Sequence, residues 1–184
     1  MRSIKLETER LLLRPIEMSD APVFYSYRSN AEINQYQGFI PKSIEETESF
    51  ISKLLKSEFG KGDSWFQFAV IKRSSNSMIG DIGVHFIGKD SFQAEIGGTL
   101  MQEEHKKGYA IESLKRVMEY LFVEHNKHRI IASIDPRNKA SINMVESLGM
   151  RKEAHFVKSY RMNDEWVDDV IYAILNEEWK KSLP

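Results

Sequence analysis

The chain has 184 residues, 41% of them hydrophobic and 29% charged, which suits one globular domain with a core of its own. Its 26 basic and 27 acidic residues leave a formal net charge of −1, so no long-range positive field exists for nucleic acid or an anionic membrane. Cysteine is absent, which excludes a disulfide framework, a thiolate metal site and a cysteine nucleophile.

Arg2, Lys5, Glu7, Glu9 and Arg10 interrupt the apolar residues of Met1 to Arg14, so no signal-peptide core is expected there. No apolar run approaches the roughly 18 residues of a membrane span. A soluble, cytoplasmic protein is expected, and the lack of cysteine fits a reducing compartment.

Thr8–Ile16 reads as a first strand, closed by Pro15 and followed by Ser19 and Asp20, which can cap a helix. Helices are expected over Asp20–Ser29 and Ser43–Phe59, with a loop, Asn30–Lys42, between them. The second helix opens on the capping box Ser43-Ile44-Glu45-Glu46 and carries Phe50, Ile51, Leu54 and Leu55 on one side. Three strands follow: Trp65–Lys72, Met78–Phe86 and Phe92–Met101, with turns at Arg73–Ser77 and Gly88–Asp90.

A long amphipathic helix, Lys107–His125, shows apolar residues at three- and four-residue spacing from Ile111 to Phe122. The run Arg129–Ile134 reads as a buried strand that Pro136 prevents from continuing. A short helix is expected from Asn138 as N-cap to Leu148, ended by Gly149. Strands Arg151–Met162 and Trp166–Leu175, hinged at Asn163-Asp164, complete the order β-α-α-β-β-β-α-β-α-β-β. No repeat or linker divides the chain, so residues 1–184 are expected to form one α/β domain.

The most informative segment joins a strand to a helix through His105-Lys106-Lys107-Gly108-Tyr109-Ala110. Amides in a first helical turn lack internal acceptors, and the helix dipole adds partial positive charge there. Gly108 removes a Cβ where a ligand would approach the backbone, and two lysines add charge. The combination is suited to an anion such as a pyrophosphate. It matches neither the P-loop, which needs an upstream glycine and a Ser or Thr after the lysine, nor the dinucleotide G-x-G-x-x-G.

This segment resembles motif A of the GNAT acyltransferases, with His105 in place of Gln or Arg and Lys106 where glycine is common. Thr8–Pro15 (TERLLLRP) is similar to the opening strand of the ribosomal-protein N-acetyltransferase (RimJ/RimL-like) branch. Ala94–Gly97 with Gly108–Glu112 resembles that branch's fourth strand and following helix. Asn138–Ile142 through Glu146–Met150 resembles its motif B. The resemblance implies a GNAT-like α/β (α+β type) domain with a mixed, mostly antiparallel seven-stranded sheet and about four flanking helices. It also implies acetyl-CoA as co-substrate, with the pyrophosphate on His105, Lys106, Lys107, Gly108, Tyr109 and Ala110. Thr99, Leu100 and Met101 would pair with the pantetheine arm, and Asn138 and Ser141 would lie near the thioester. Val145 stands where many members carry a tyrosine that protonates the leaving thiolate.

The implied reaction is attack of a neutral amine on a thioester, which requires a proton acceptor and stabilisation of developing negative charge. Without cysteine, direct transfer in a ternary complex is expected. Glu95, on the strand that enters the anion loop, is the candidate base; a sheet carboxylate paired with a lysine or arginine is the structural alternative. Ser141 is a candidate hydrogen-bond donor to the leaving group, and Asn138 and Ser141 equally suit helix capping. Tyr36 and Phe39 are candidates for an acceptor wall or for core packing, while Trp65, Phe66, Phe68 and Trp166 read as core or sheet residues. His125 and His128, three apart at a helix end, have no third ligand, so no metal is expected. The acceptor implied by the resemblance is a peptide N-terminus. A small amine, such as a polyamine or aminoglycoside, is the rival, and a non-catalytic CoA-binding module is a third reading. The protein is expected as a monomer or homodimer, with no nucleic-acid or membrane partner.

Overall fold

Leu11 and Leu13 are fully buried while Leu12 and Arg14 are only half-buried, the period-two burial of a strand packed on one face. In the computed structural model, which describes residues 4–162 and 164–182, this strand is β2 (Leu11–Pro15), and a two-residue strand β1 (Leu6–Glu7) pairs with it. The strand expected over Thr8–Ile16 is therefore the shorter β2, and β1 precedes the expected start. Thr8 donates its backbone N–H to the Leu11 carbonyl and turns the chain between them.

A short 3-10 turn, Met18–Asp20, leads into α1 (Ala21–Arg28). Helix α2 (Ile44–Leu54) is capped by Ser43, whose side chain accepts the Glu46 amide as expected. It ends before Phe59, because the two aromatic ends belong to different cores. Ile51 and Leu54 pack with Ile16, Phe24, Tyr27, Ala69 and Met78. Phe59 instead meets Phe66, Phe86 and Tyr120 on the other side of the sheet.

Strands β3 (Ser64–Lys72), β4 (Ser77–Ile87) and β5 (Gln93–Leu100) form an antiparallel ladder. Helix α3 (Tyr109–Glu119) runs into one π-helical turn, Tyr120–Glu124, and β6 (Arg129–Ile134) returns parallel to β5. Then come α4 (Lys139–Ser147), β7 (Arg151–Met162), β8 (Glu165–Leu175) and α5 (Asn176–Ser182). The hinge expected at Asn163-Asp164 includes Asn163, which lies outside the described residues.

The sheet order is β1-β2-β3-β4-β5-β6-β8-β7, eight strands in a mixed, mostly antiparallel sheet. The α/β class and the element order agree with expectation. The eighth strand is β1, which precedes the segment expected as the first strand. The fifth helix comes from α5, whose Trp179 is buried against Phe122. Trp65 and Trp166 are in strands but are 44% and 61% exposed, so they sit on sheet surface rather than in the core. Among the described residues no helix is long and apolar enough to cross a membrane.

One face of the sheet is sealed by α3, with Leu114, Val117, Met118 and Leu121 against Phe68, Ile82, Val84, Ile96 and Ile130. The opposite face is covered only in part, by α1 and α2. Where α1 crosses β4, Asp81 is fully buried. It accepts from the Tyr27 hydroxyl (2.7 Å), from Arg28 Nε (3.0 Å) and Nη2 (2.5 Å), and from the Gln67 amide. The charge of Asp81 is thereby fully compensated in the interior, as a buried carboxylate requires.

The decisive irregularity lies between β5 and β6. Their parallel pairing covers only Gln93–Arg129, Ala94–Ile130 and Glu95–Ile131. Beyond Glu95 the strands part, and Ile96–Leu100 and Ala132–Ile134 face a wedge-shaped opening.

Removing Arg28 strands a buried carboxylate, which costs about 3–5 kcal/mol. Arg28→Ala is therefore expected to lower the unfolding free energy by that amount in urea titrations. Removing the exposed Arg161, paired with Asp164 at 3.0 Å, should change it by no more than about 1 kcal/mol.

Candidate active site

The wedge presents backbone rather than side chains. The Met101 amide bonds to the Ile79 carbonyl of β4, so alternation turns the polar groups of Gly98 and Leu100 the other way, into the opening. Two side chains already reach that edge. The Gln37 amide donates to the Gly98 carbonyl at 3.4 Å, and His105 Nε2 lies 2.9 Å from the Leu100 carbonyl. The edge of β5 is thus a half-open strand, fit to receive a ligand arm that has its own amides. Of the residues expected along it, Thr99 and Leu100 are buried and Met101 half-buried against the α1–α2 core.

At the outer end of the wedge stands the N-terminus of α3. Gly108 is its N-cap in the left-handed region (φ 82°), a conformation natural to glycine and strained for a residue with Cβ. Glu112 makes the first helical bond, to the Gly108 carbonyl, so the amides of Tyr109, Ala110 and Ile111 precede the ladder. Lys107 is salt-bridged to Glu104 at 3.0 Å, and Glu104 is shared with Lys72 at 3.2 Å. One of the two lysines expected to face an anion is therefore partly neutralised, and backbone amides carry the larger part of the field.

The N-terminal segment clasps this loop, a role that its sequence alone did not reveal. The Thr8 hydroxyl (2.5 Å) and Arg10 amide (3.1 Å) donate to Glu112 Oε1, and Arg10 Nε donates to Oε2 (2.7 Å). Burial works against the charge of Glu112, but these donors hold its carboxyl below the usual range. Arg10 also donates to the Lys107 carbonyl at 3.0 Å and lies 4.6 Å from the centre of the Tyr109 ring. The TER triplet thus fastens the anion loop to the sheet.

Glu95 sits at the vertex of the wedge, the last β5 residue paired with β6. Its side chain is 26% exposed. Burial raises its carboxyl above the usual range; His85 pulls it down, and the nearby Asp169 pushes it up again. Asp169, on β8, accepts from the Ser133 hydroxyl at 2.8 Å. The alternative reading of Glu95, a carboxylate tied to Lys or Arg, has no support, since its ionic neighbour is the His85 imidazole at 3.6 Å.

Asn138 caps α4, its side-chain oxygen accepting the Ser141 amide at 3.1 Å, while the Ser141 hydroxyl remains half-buried and makes no hydrogen bond among the described residues. Val145 is buried in the core. The buried tyrosines Tyr27 and Tyr172 have hydroxyls committed to Asp81 and Glu146. Phe39 stacks on Phe50 at 4.2 Å and anchors its loop to α2. Tyr36 is half-buried with its ring 5.8 Å from the guanidinium of Arg137, which is itself bound to Asp135 just beyond β6. Gly38 of the same loop lies so near β7 that a Cβ there would stand 3.1 Å from the Tyr160 hydroxyl. Tyr36 and Gly38 thus meet both the β6–α4 loop and the terminal hairpin.

The site thus combines an open strand edge, a helix N-terminus with free amides at the outer end of the wedge and a partly buried carboxyl at its vertex. The chain matches the model of the acetyltransferase (GNAT) domain over residues 10–151 and belongs to the GNAT acetyltransferase family. It is similar to the N-acetyltransferase YnaD of Bacillus subtilis (strain 168), 36% identical over 95% of this chain and 98% of that one. It is 26% identical to the [ribosomal protein uS5]-alanine N-acetyltransferase of Escherichia coli (strain K12), covering 96% and 93%, and 24% identical to the spermidine N(1)-acetyltransferase of Vibrio cholerae, covering 92% and 95%. A solved GNAT-family acetyltransferase from Bacillus anthracis superposes with a TM-score of 0.84 at 32% identity, over 95% of this chain and 99% of that structure.

Gly108→Val imposes left-handed strain of roughly 1–2 kcal/mol and brings a Cβ to 3.3 Å from Arg10 Nη2. CoA affinity, read by calorimetry, is expected to fall at least about tenfold. Lys107→Ala, whose charge is shared with Glu104, should cost about 1 kcal/mol or less. Undiminished CoA binding by the valine variant would refute the placement.

Proposed function

We propose that this GNAT enzyme uses acetyl-CoA and transfers the acetyl group directly to a protein N-terminal α-amine. The observation that carries the reading is Glu95, a partly buried carboxyl at the vertex of the wedge with no Lys or Arg partner among the described residues. The residues fit the co-substrate. The edge of Gly98 and Leu100 offers backbone groups to the pantetheine arm, with Thr99 and Met101 holding that strand in place. Lys106 to Ala110 offer amides to the pyrophosphate, and His105 braces Leu100. Asn138 keeps the first turn of α4 formed, and the Ser141 hydroxyl is free to donate to the leaving thiolate. The bound thioester supplies the activated acetyl group; the chain supplies alignment and proton transfer. Glu95, raised above the ordinary carboxyl range by burial, takes the amine proton.

The distribution of charge supports this acceptor class. Asp81 is neutralised by Arg28, and Asp135 by Arg137. Glu95 and Asp169 remain without a Lys or Arg partner among the described residues. That is enough for a singly charged ammonium, but few for a polyamine. The neutral amine is the nucleophile. At pH 7 on the order of 10% of an α-amine with a pKa of roughly 7.7–8.0 is neutral, against about 0.04% of a lysine side chain. Tyr36, at the meeting of the loop and Arg137, is the proposed wall against the acceptor, with Phe39 holding that loop from behind. Likeness to the Vibrio spermidine enzyme keeps a small polyamine as the second reading.

Glu95→Gln is expected to lower kcat by about 10²–10⁴ and leave CoA affinity near wild type; a change within about threefold would demote it to a structural residue. In competition, a Ser- or Ala-initiated peptide should show a higher kcat/KM than its N-blocked lysine counterpart, spermidine or an aminoglycoside. Preference for spermidine would reject the peptide reading in favour of the second.

A further inference from the structure

An α-ammonium that arrives protonated brings one proton more than the leaving thiolate can consume. Acetylation of R–NH₃⁺ frees two protons; one ends on the CoA thiol, and the other must reach solvent. A base in a partly closed site needs a way to unload it between turnovers.

Three side chains stand in one row across the sheet. Trp65 is opposite His85 in the β3–β4 ladder, and His85 is opposite Glu95 in the β4–β5 ladder. The imidazole lies flat on the indole, with ring centres 4.8 Å apart and planes within 4°, which fixes its orientation along the row. His85 Nδ1 is 3.6 Å from Glu95 Oε2, and Nε2 is 3.4 Å from Asp63 Oδ1. Both gaps are just beyond hydrogen-bond length, a range closed by a small rotation of either side chain. The Glu95 and His85 side chains are about equally shielded, 26% and 22% exposed, and the row opens to solvent at Asp63, 79% exposed. Asp63 adopts a left-handed backbone (φ 54°), uncommon for a residue with Cβ, at the turn that presents it to His85.

We propose that His85 is the proton outlet of the active site, carrying to Asp63 and solvent the proton that Glu95 removes from the acceptor amine. The proposal rests on the reading of Glu95 as base. In the step, the amine N–H bond breaks toward the Glu95 carboxylate. The Glu95 O–H then gives its proton to His85 Nδ1 while Nε2 releases its own to Asp63 or water, and no oxidant or further reactant is needed. The other groups facing the row are Asp169, from β8, which bears on Glu95, and the uncharged indole of Trp65.

The test is kinetic, with the full-length enzyme, acetyl-CoA and an unblocked peptide. His85→Ala is expected to lower kcat about tenfold, less than loss of the base itself, with the acetyl-CoA KM unchanged, and added imidazole should restore most of the rate. His85→Gln, which fills the space but cannot relay, should be equally slow and unresponsive to imidazole. The acidic limb of the pH–rate profile should move to higher pH in both, because His85 no longer pulls the Glu95 carboxyl down. A wild-type kcat in folded His85→Ala, or a deficit that imidazole leaves untouched, overturns the outlet. An inactive Glu95→Gln beside a fully active His85→Ala would leave the base reading standing and remove only the relay. An active Glu95→Gln beside an imidazole-rescued His85→Ala would overturn both, since His85 would then be the base.

Discussion

The structure depends on one failure of pairing. Parallel strands β5 and β6 share three residue pairs and then separate, although unpaired strand edges are ordinarily satisfied or covered. Past Glu95 the backbone groups of β5 alternate, so every second residue still bonds to β4 while those between, such as Gly98 and Leu100, face the opening. That exposed edge gives the enzyme a strand for a peptide-like ligand arm, and the vertex gives it a position where a carboxyl is partly buried without being enclosed. An additional pair between Ile96 and β6 would move the vertex away from Glu95.

The surrounding interactions keep the wedge in shape. On one side, Asp81 ties Tyr27 and Arg28 of α1 to β4, and Arg28 Nη1 passes the connection to Gln37 at 3.1 Å, which reaches the Gly98 carbonyl. The loop over the cleft is therefore joined to a buried ionic centre. On the other side, Thr8 and Arg10 bind Glu112 and the Lys107 carbonyl, so the first residues of the sheet hold the start of α3. Both devices place charge-assisted hydrogen bonds where backbone groups must stay fixed for a ligand.

The two faces of the sheet divide the labour. The α3 face is closed by apolar side chains and supplies stability. The other face carries the row of Trp65, His85 and Glu95 and, on β6 and β8, the hydrogen-bonded Ser133 and Asp169, and Gly97, opposite Gly83 in the ladder, has open space where a Cβ would project. A face that carries carboxyl and imidazole groups cannot be packed in the same way, because apolar cover would raise the cost of the charged forms.

Local chemistry was legible in the sequence. Ser43 and Asn138 cap their helices because a side-chain oxygen can reach an amide two or three residues on, whatever the remainder of the chain does. The order of elements along the chain, the glycine at the start of α3 and the carboxylate on the strand before it were likewise readable from spacing and from likeness to motif A. Contacts between distant segments were not. The expected first strand starts late because Thr8 bonds to Leu11 and turns the chain, and α2 stops early because Phe59 belongs to the opposite core. The partners of Glu112 are 102 and 104 positions away. His85 stands beside Glu95 only because β4 and β5 adopt one register out of several possible. Periodicity along a chain reports which face a residue takes; which residues meet across strands is set by register and packing, and only the tertiary structure decided that.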